Sequence, residues 1–492
     1  MALIQISDLT FSHEGREEVL FDHLTLRLDT RWRIGLIGRN GRGKSTLLQL
    51  LQGRWPYQGQ ISAPTDFIRF PFPVSRPDGP AAEVVREAAP EAEDWQIERE
   101  FSLLALAPGT MEAPFSRLSQ GEQTKVLLAA LFLQEGRFPL IDEPTNHLDQ
   151  AGRVVLGRYL RGKEGFLLVS HDRALLDACV THILALNRSD VQLRRGSYSD
   201  WQREQEVRQE AELAADERLR TEIRRLSDTA RQVSVWSSQA EQKKYGKNSA
   251  GLHPDKGYLS HKAAKTMRRA KAVERRQQEL IEQKSALLQN RERTPPLRLE
   301  PLACPSEILL EAHDLSLAYG ARTVWSGLSL TLRRGQRLAL QGKNGCGKSS
   351  LLRVLAGELA PSGGTLRLAG GLILSCVPQS AADLRGGLYD FARASEVDAT
   401  RLLTLLRKFG FARDRFDAPL ETYSDGERKK VLLARSLCQR AHLYLWDEPL
   451  NYIDLPSRLQ IEALLREAQP AMIFVEHDRA FAASVATDVL SL

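Results

Sequence analysis

Cysteine is scarce in this chain. Cys179, Cys304, Cys346, Cys376 and Cys438 are the five in 492 residues, and no two are spaced as CxxC. That distribution argues against a zinc ribbon and against a disulfide framework, and it fits a reduced, cytoplasmic setting. The opening residues MALIQISDLTFS lack both a basic n-region and a long apolar core, so a secretory leader is not expected. No run approaches the roughly 18 apolar residues needed to span a bilayer, which argues against a membrane-embedded protein. Glycine and proline are missing from two long stretches, Trp201 to Tyr245 and Tyr258 to Arg293. Helix breakers cluster only between them, at Gly246, Gly251, Pro254 and Gly257.

Those breaker-free stretches predict two long helices joined by a short loop. Leu219, Ile223, Leu226, Ala230 and Val233 step by four and three, the spacing of a coiled-coil seam. The second arm keeps the step less well, through Ala270, Val273, Gln277, Leu280, Lys284 and Leu287. At about 1.5 Å per residue, arms of about 30 to 40 residues reach roughly 45 to 60 Å, beyond the radius of a domain at either end. Charge is focused there. From Arg231 to Arg276 twelve Lys and Arg face only Glu241, Asp255 and Glu274, a net +9 in a chain whose total is +6. Trp236, Tyr245 and Tyr258 lie among Lys243, Lys244, Lys247, Lys256, Lys262, Lys265, Arg268 and Arg269, so phosphate contact and base stacking by these residues are expected. A run of this kind can also be a solvated coiled-coil face. With 42% apolar and 26% charged residues the rest is globular, and the length suggests about three units.

On either side of this segment lies the same set of motifs. Ile34 to Gly38 is a short apolar strand that runs into Gly38-Arg-Asn40-Gly41-Arg-Gly43-Lys44-Ser45 and then a helix from Thr46 to Leu51. Strand, GxxxxGK[ST] loop and helix are the context of a phosphate-binding loop. Its backbone N–H groups wrap phosphates, the helix N-terminus adds a favourable dipole, Lys44 is expected at the β/γ-phosphates and Ser45 on Mg²⁺. Further on, Phe138 to Ile141 ends in Asp142 and Glu143. Asp142 is expected to hold Mg²⁺ and Glu143 to polarise the attacking water. Ser119 and Gly121 open a helix, where they could grip a phosphate or form an ordinary N-cap. His171 follows the apolar strand Phe166 to Val169 and would lie near the γ-phosphate, or be structural.

The second half repeats this order, the mark of a duplication. Gly342-Lys-Asn344-Gly345-Cys-Gly347-Lys348-Ser349-Ser350 mirrors the first loop, Asp447 and Glu448 the acidic pair, and His477 the histidine. Lys44 precedes Ser119 by 75 residues and Lys348 precedes Ser424 by 76, so neither half has room there for an extra subdomain. The sequence ends fifteen residues after His477, so no C-terminal extension is expected.

In this order the motifs resemble the ATP-binding cassette family: Walker A at Gly38–Ser45 and Gly342–Ser349, a signature at Leu118–Gln123 and Tyr423–Glu427, Walker B ending at Glu143 and Glu448, a D-loop at Asn146–Asp149, and switch histidines His171 and His477. The resemblance implies an α/β fold with two tandem P-loop cassettes, residues 1–200 and 301–492, around a basic linker, 201–300. It also implies that Gln379 is a ligand to Mg²⁺ and nucleotide and Tyr319 an aromatic for adenine, and that the two cassettes form a head-to-tail sandwich within one monomer. One site would join Lys44, Ser45, Asp142, Glu143 and His171 to Ser424 and Gly426; the other would join Lys348, Ser349, Gln379, Asp447, Glu448 and His477 to Ser119 and Gly121. Three departures stand out. Matching Pro73 to Pro378 puts Val74 where the family carries glutamine, His13 stands where an adenine-stacking tyrosine is common, and Asp425 replaces a usual glycine of the signature.

Two fused cassettes with a charged helical linker and no membrane domain resemble the ABC-F subfamily over essentially the whole chain. Gly196-Ser-Tyr198-Ser199 looks like that subfamily's linker start. Asp255 to Met267 and Leu445 to Asp454 look like its antibiotic-resistance branch of the Vga/Lsa type. Such relatives enter the ribosomal E site, contact large-subunit rRNA and P-site tRNA, and push the linker tip towards the peptidyl-transferase centre. The resemblance therefore implies an ATP hydrolase that protects ribosomes from drugs. A housekeeping translation factor of the same subfamily is the alternative. Transporter ATPases need a membrane partner and have no use for this linker. Condensin-type and DNA-repair ATPases carry far longer coils or CxxC modules, which are missing here.

Overall fold

The structure is a computed structural model that describes every residue except 1, 14–18, 147, 188–190, 209, 212–213, 215–217, 219–220, 222–224, 226–274, 276–297, 321 and 412. The linker residues from Trp236 to Arg269 and both proposed seams lie outside the described residues. Contacts divide the chain into two compact units, Met1–Trp201 with Pro296–Leu492, and Gln202–Pro295. The cassette halves thus share one unit.

Each half is the expected α/β layer structure. In the first, Arg33–Gly38 lies inside a six-stranded sheet whose order is Asp66–Phe70, Arg137–Asp142, Phe166–Val169, Arg33–Gly38, His182–Leu186, Val191–Arg195. All pairs are parallel except the last. Ile34, Leu36, Leu140, Leu167 and Leu168 are fully buried. Continuous apolar runs are what a parallel sheet covered on both faces requires. One face packs on the helix Lys44–Leu51 and on an antiparallel layer, Phe21–Asp29, Leu3–Phe11 and Gln58–Ser62. The other face carries the helices that include Gln120–Phe132, Gln150–Arg161 and Arg173–Cys179.

The second half repeats the plan with a five-stranded parallel sheet, Leu374–Val377, Leu443–Asp447, Met472–Val475, Arg337–Gln341, Asp488–Ser491. Its antiparallel layer is Arg322–Arg333, Ile308–Tyr319 and Gly363–Leu368. Leu455 of the second half is buried in the core beneath the first half's helices, so the halves share packing as well as polar contacts.

Both phosphate-loop helices start from a glycine in the left-handed region, Gly43 at φ 85° and Gly347 at φ 94°. A side chain would be strained there, and a Cβ on Gly347 would also run into Val324 and Trp325. The glycine is thus required where the chain turns from loop to helix. Among the described residues, no helix is long and apolar enough to cross a membrane.

Candidate nucleotide-binding sites

The second site is a cavity of 890 Å³ built from both halves. Tyr319, Gly345, Gly347, Lys348, Ser349, Ser350, Gln379, Glu448 and His477 line it from the second half. Ser119, Gly121, Glu122, Lys125, Asn146 and Asp149 line it from the first. The volume lies within the roughly 300 to 1,000 Å³ of small-molecule pockets. Tyr319 stands at its wall with Oη 3.3 Å from Ser350 Oγ. Lys348 Nζ donates to the carbonyls of Gly342 and Lys343, both at 2.9 Å, which holds the ammonium at the loop's centre. Ser119 caps its helix reciprocally with Glu122: Glu122 N donates to Ser119 Oγ, and Ser119 N donates to Glu122 Oε2 at 2.9 Å.

Gln379 connects the parts of this site. Ser349 Oγ donates to its Oε1 at 3.5 Å, and its Nε2 donates to Glu448 Oε1 at 3.3 Å. Beneath it Lys429, only 3% exposed, donates to the carbonyls of Pro378, Gln379 and Asp447 at 2.6, 3.1 and 2.7 Å. Burial pushes the Lys429 ammonium down to about 8. Asp447 Oδ1 is buried and has no hydrogen-bond partner among the described residues. An orphaned carboxylate oxygen beside a serine hydroxyl and an amide oxygen fits a hard divalent cation, which takes oxygen ligands. Burial acts to raise Glu448, but His477, Lys429 and Asn451 outweigh it, and the carboxyl sits below its ordinary value. His477 Nε2 is 3.3 Å from Glu448 Oε1. Glu448 is therefore an ionised carboxylate at neutral pH.

The first site is assembled differently. Lys44 Nζ donates to Gly38 O at 2.7 Å and to Arg39 O and Asn40 Oδ1 at 3.3 Å. Burial lowers its pKa against the opposing pull of Asp454, Glu143 and Asp142. Asn40 is held by the second half: its N–H donates to Asp454 Oδ2 at 2.9 Å and its amide to Tyr452 O at 2.8 Å. Tyr452 also packs on Gly426, where a Cβ would come within 3.1 Å of it. It thereby links the second signature to the first loop. Ser424 forms a capping box with Glu427, and Asp425 is exposed at the start of that helix, where a carboxylate suits the dipole. Thr46 Oγ1 lies 3.3 Å from His13 Nε2, and His13 meets Phe11 and Trp55 edge-on.

Glu143 and Glu448 both adopt left-handed backbone, φ 49° and 47°. Such strain in a non-glycine residue persists only when its surroundings impose it. Each glutamate N–H donates to the neighbouring strand, Glu143 to Val169 O and Glu448 to Val475 O. Glu143 nevertheless differs from its twin. Burial, then Asp142, pushes it up to about 7. His171, with Nε2 3.4 Å from Glu143 Oε1, is held well below its ordinary value by burial, then by Lys44 and Arg458, and is neutral.

One expectation needs correction. Phe70 pairs with Ile141, the residue before Asp142, and Val377 pairs with Trp446, the residue before Asp447. Strand register therefore equates Phe72, not Val74, with Gln379. Phe72 and Val74 both pack against the helical core. The same register equates Arg69 with Cys376, and Arg69 Nη2 donates to Asp142 Oδ2 at 2.6 Å. Matching prolines missed this, because equivalence here is fixed by pairing to a neighbouring strand. Lys429, Asp454 and Arg69 were not singled out from the sequence. Only Lys429 left a trace there, as a lysine inside a helix whose neighbours Val431 to Ala434 are apolar.

Paired Walker loops, one of them sharing a cavity with the signature helix of the opposite half, define a tandem cassette ATPase. A family profile described as ABC transporter matches residues 21–146 and 325–451. The chain is similar to the ribosome protection protein VmlR of Bacillus subtilis, 28% identical over 96% of this chain and 83% of that protein. It is also similar to the probable ATP-binding protein YheS of Escherichia coli O6:H1, 30% identical over 96% of this chain and 76% of that one. Among solved structures, an archaeal ribosome recycling factor superposes over 98% of this chain and 87% of its own with TM-score 0.64 at 20% identity, which shows the fold. The chain belongs to the ATP-binding cassette family, in its ABC-F subfamily, and it is an ATP hydrolase.

Proposed function

We propose that this ATPase works on the ribosome, entering the E site in its ATP-closed state and carrying the tip of its linker, within residues 201–300, towards the peptidyl-transferase centre to protect against ribosome-targeting antibiotics. The observation that carries the reading is the composite cavity: a site whose walls come from both halves can be closed by nucleotide and reopened by hydrolysis, and so can drive a segment lying between the halves in sequence. The net +9 of residues 231–276 supports rRNA and P-site tRNA as partners. Likeness to a ribosome protection protein over 96% of the chain supports the protective role. A housekeeping ABC-F factor is the second reading, favoured by the likeness to YheS.

In the second site Lys348 binds the β/γ-phosphates and Ser119 and Gly121 close over them. Ser349, Gln379 and Asp447 would hold Mg²⁺, which would neutralise phosphate charge. Glu448 takes a proton from the attacking water, and His477 keeps that carboxylate oriented.

The test is co-sedimentation and footprinting on ribosomes with Glu143→Gln/Glu448→Gln, with and without lincosamides, streptogramins A or pleuromutilins. The double variant is expected to bind ATP, turn over very slowly and stay on the ribosome, with protections in the E site. Replacing residues 243–256 by a Gly-Ser turn is expected to preserve ATP hydrolysis and abolish drug resistance in a susceptible host. Wild-type protein that protects against none of these drugs would favour the housekeeping role. A shortened protein that protects as well as wild type would reduce the tip to a spacer.

A further inference from the structure

The two Walker B aspartates meet different surroundings. In the second site Asp447 Oδ1 is buried without a partner among the described residues, the uncharged Cys376 stands on the adjacent strand opposite Leu445, two residues before Asp447, and Gln379 adds an amide oxygen. In the first site the equivalent sheet position is Arg69. Its Nη2 donates to Asp142 Oδ2 at 2.6 Å, and Ser45 Oγ donates to the same oxygen at 3.3 Å. Arg69 and Asp142 side chains are only 19% and 13% exposed. A pair so enclosed is weakly screened by water or salt. The amide oxygen is missing as well, since Phe72 replaces Gln379. A cation is thus already fixed on the carboxylate that a divalent metal would need, and one of the metal's other ligands is replaced by a phenyl ring. These residues do not fit Mg²⁺ as those of the second site do.

We propose that the first site holds its nucleotide without a divalent cation, with the Arg69 guanidinium occupying the metal's place on Asp142 and facing the phosphates beside Lys44. Arginine is suited to that position because it keeps its charge when buried, and its planar fork can serve a carboxylate and a phosphate at once. The inference rests on reading both halves as nucleotide sites, and it divides them into a metal-dependent site at Lys348 and a metal-free one at Lys44.

Counting metal and nucleotide separately tests it. The full-length chain is loaded with the β,γ-imido analogue of ATP and Mn²⁺. Bound Mn²⁺ is counted by electron paramagnetic resonance and nucleotide by chromatography of the denatured complex. Two nucleotides and one Mn²⁺ per chain are expected, and one nucleotide is expected to survive excess EDTA. Arg69→Cys, which installs the second half's residue, is expected to take up a second Mn²⁺, and Arg69→Gln to do the same more weakly. Two Mn²⁺ of like affinity in the wild-type chain would overturn the proposal, as would loss of both nucleotides to EDTA. One Mn²⁺ with two nucleotides in wild type and in both variants would acquit Arg69. A single nucleotide per wild-type chain would remove the first half as a nucleotide site, a different failure that the nucleotide count alone reveals.

Discussion

Arg458 of the second cassette donates through Nη1 to the backbone oxygen of His171 in the first, 2.9 Å away. The same guanidinium donates to the carbonyls of Ile453 and Leu450, both at 2.9 Å, and lies 3.6 Å from Asp478. It therefore joins the loop after Glu448, the residue after His477 and the switch histidine of the other site. Arg153, four residues past Asp149 as Arg458 is past Asp454, stays within its own cassette, on Leu148 O and Asp172. The duplicated arginines thus have unequal partners, and one of them ties the two sites together.

Arg458→Met is expected to destabilise the chain by about 3 to 5 kcal/mol in urea unfolding, because it leaves a buried carboxylate and three carbonyls short of a donor. Arg458→Lys should recover part of that by restoring the charge. A loss below about 1 kcal/mol would show that the guanidinium does not join the halves.

The raised pKa of Glu143 makes stability depend on pH in a defined direction. Its folded value of about 7 lies above the ordinary 4.5, so the folded chain binds the proton more tightly than the unfolded chain. The associated stability is full below about pH 4.5 and is lost as pH rises through 7. In the nucleotide-free protein Glu143→Gln should be nearly neutral at pH 4.5 and stabilising by roughly 3 kcal/mol at pH 8. Thermal unfolding of both proteins across this range checks it, and a difference that shrinks with rising pH would contradict it.

Lys429 holds three carbonyls that belong to the Gln379 loop and to the strand ending at Asp447. Lys429→Thr introduces the residue that Thr124 represents in the first half. It leaves buried acceptors unpaired, at a cost of about 1 to 3 kcal/mol. Hydrolysis by the second site, measured in a Glu143→Gln background, should fall, while nucleotide retention by the first site should change little. Equal losses at both sites would mean general unfolding instead.

Neutralising Lys262, Lys265, Arg268 and Arg269 together should weaken ribosome binding and lower its logarithmic salt slope by up to about 3. Nucleotide binding should be unaffected. An unchanged slope would place the RNA-contacting charge elsewhere.

Much of the architecture was legible without coordinates. Loop, acidic strand end, signature helix and histidine are contiguous motifs at repeated spacings, and each is a local device whose geometry follows from a few adjacent residues. Gly43 and Gly347 illustrate this, since the left-handed turn they make is needed wherever that loop meets its helix. The composite second site was legible too, through the resemblance of two tandem cassettes to a head-to-tail pair.

The inequality of the two sites was decided only by tertiary structure. Phe72, not Val74, answers to Gln379 because parallel pairing to the Walker B strand sets the register, and proline positions in a loop carry no such information. Arg69 meets Asp142 from 73 residues away in the chain, and Arg458 meets His171 from 287. Motif spacing is read along the chain, whereas charges act through space; where two buried groups meet depends on how the sheets and halves pack, and there the duplicated sequences no longer behave alike.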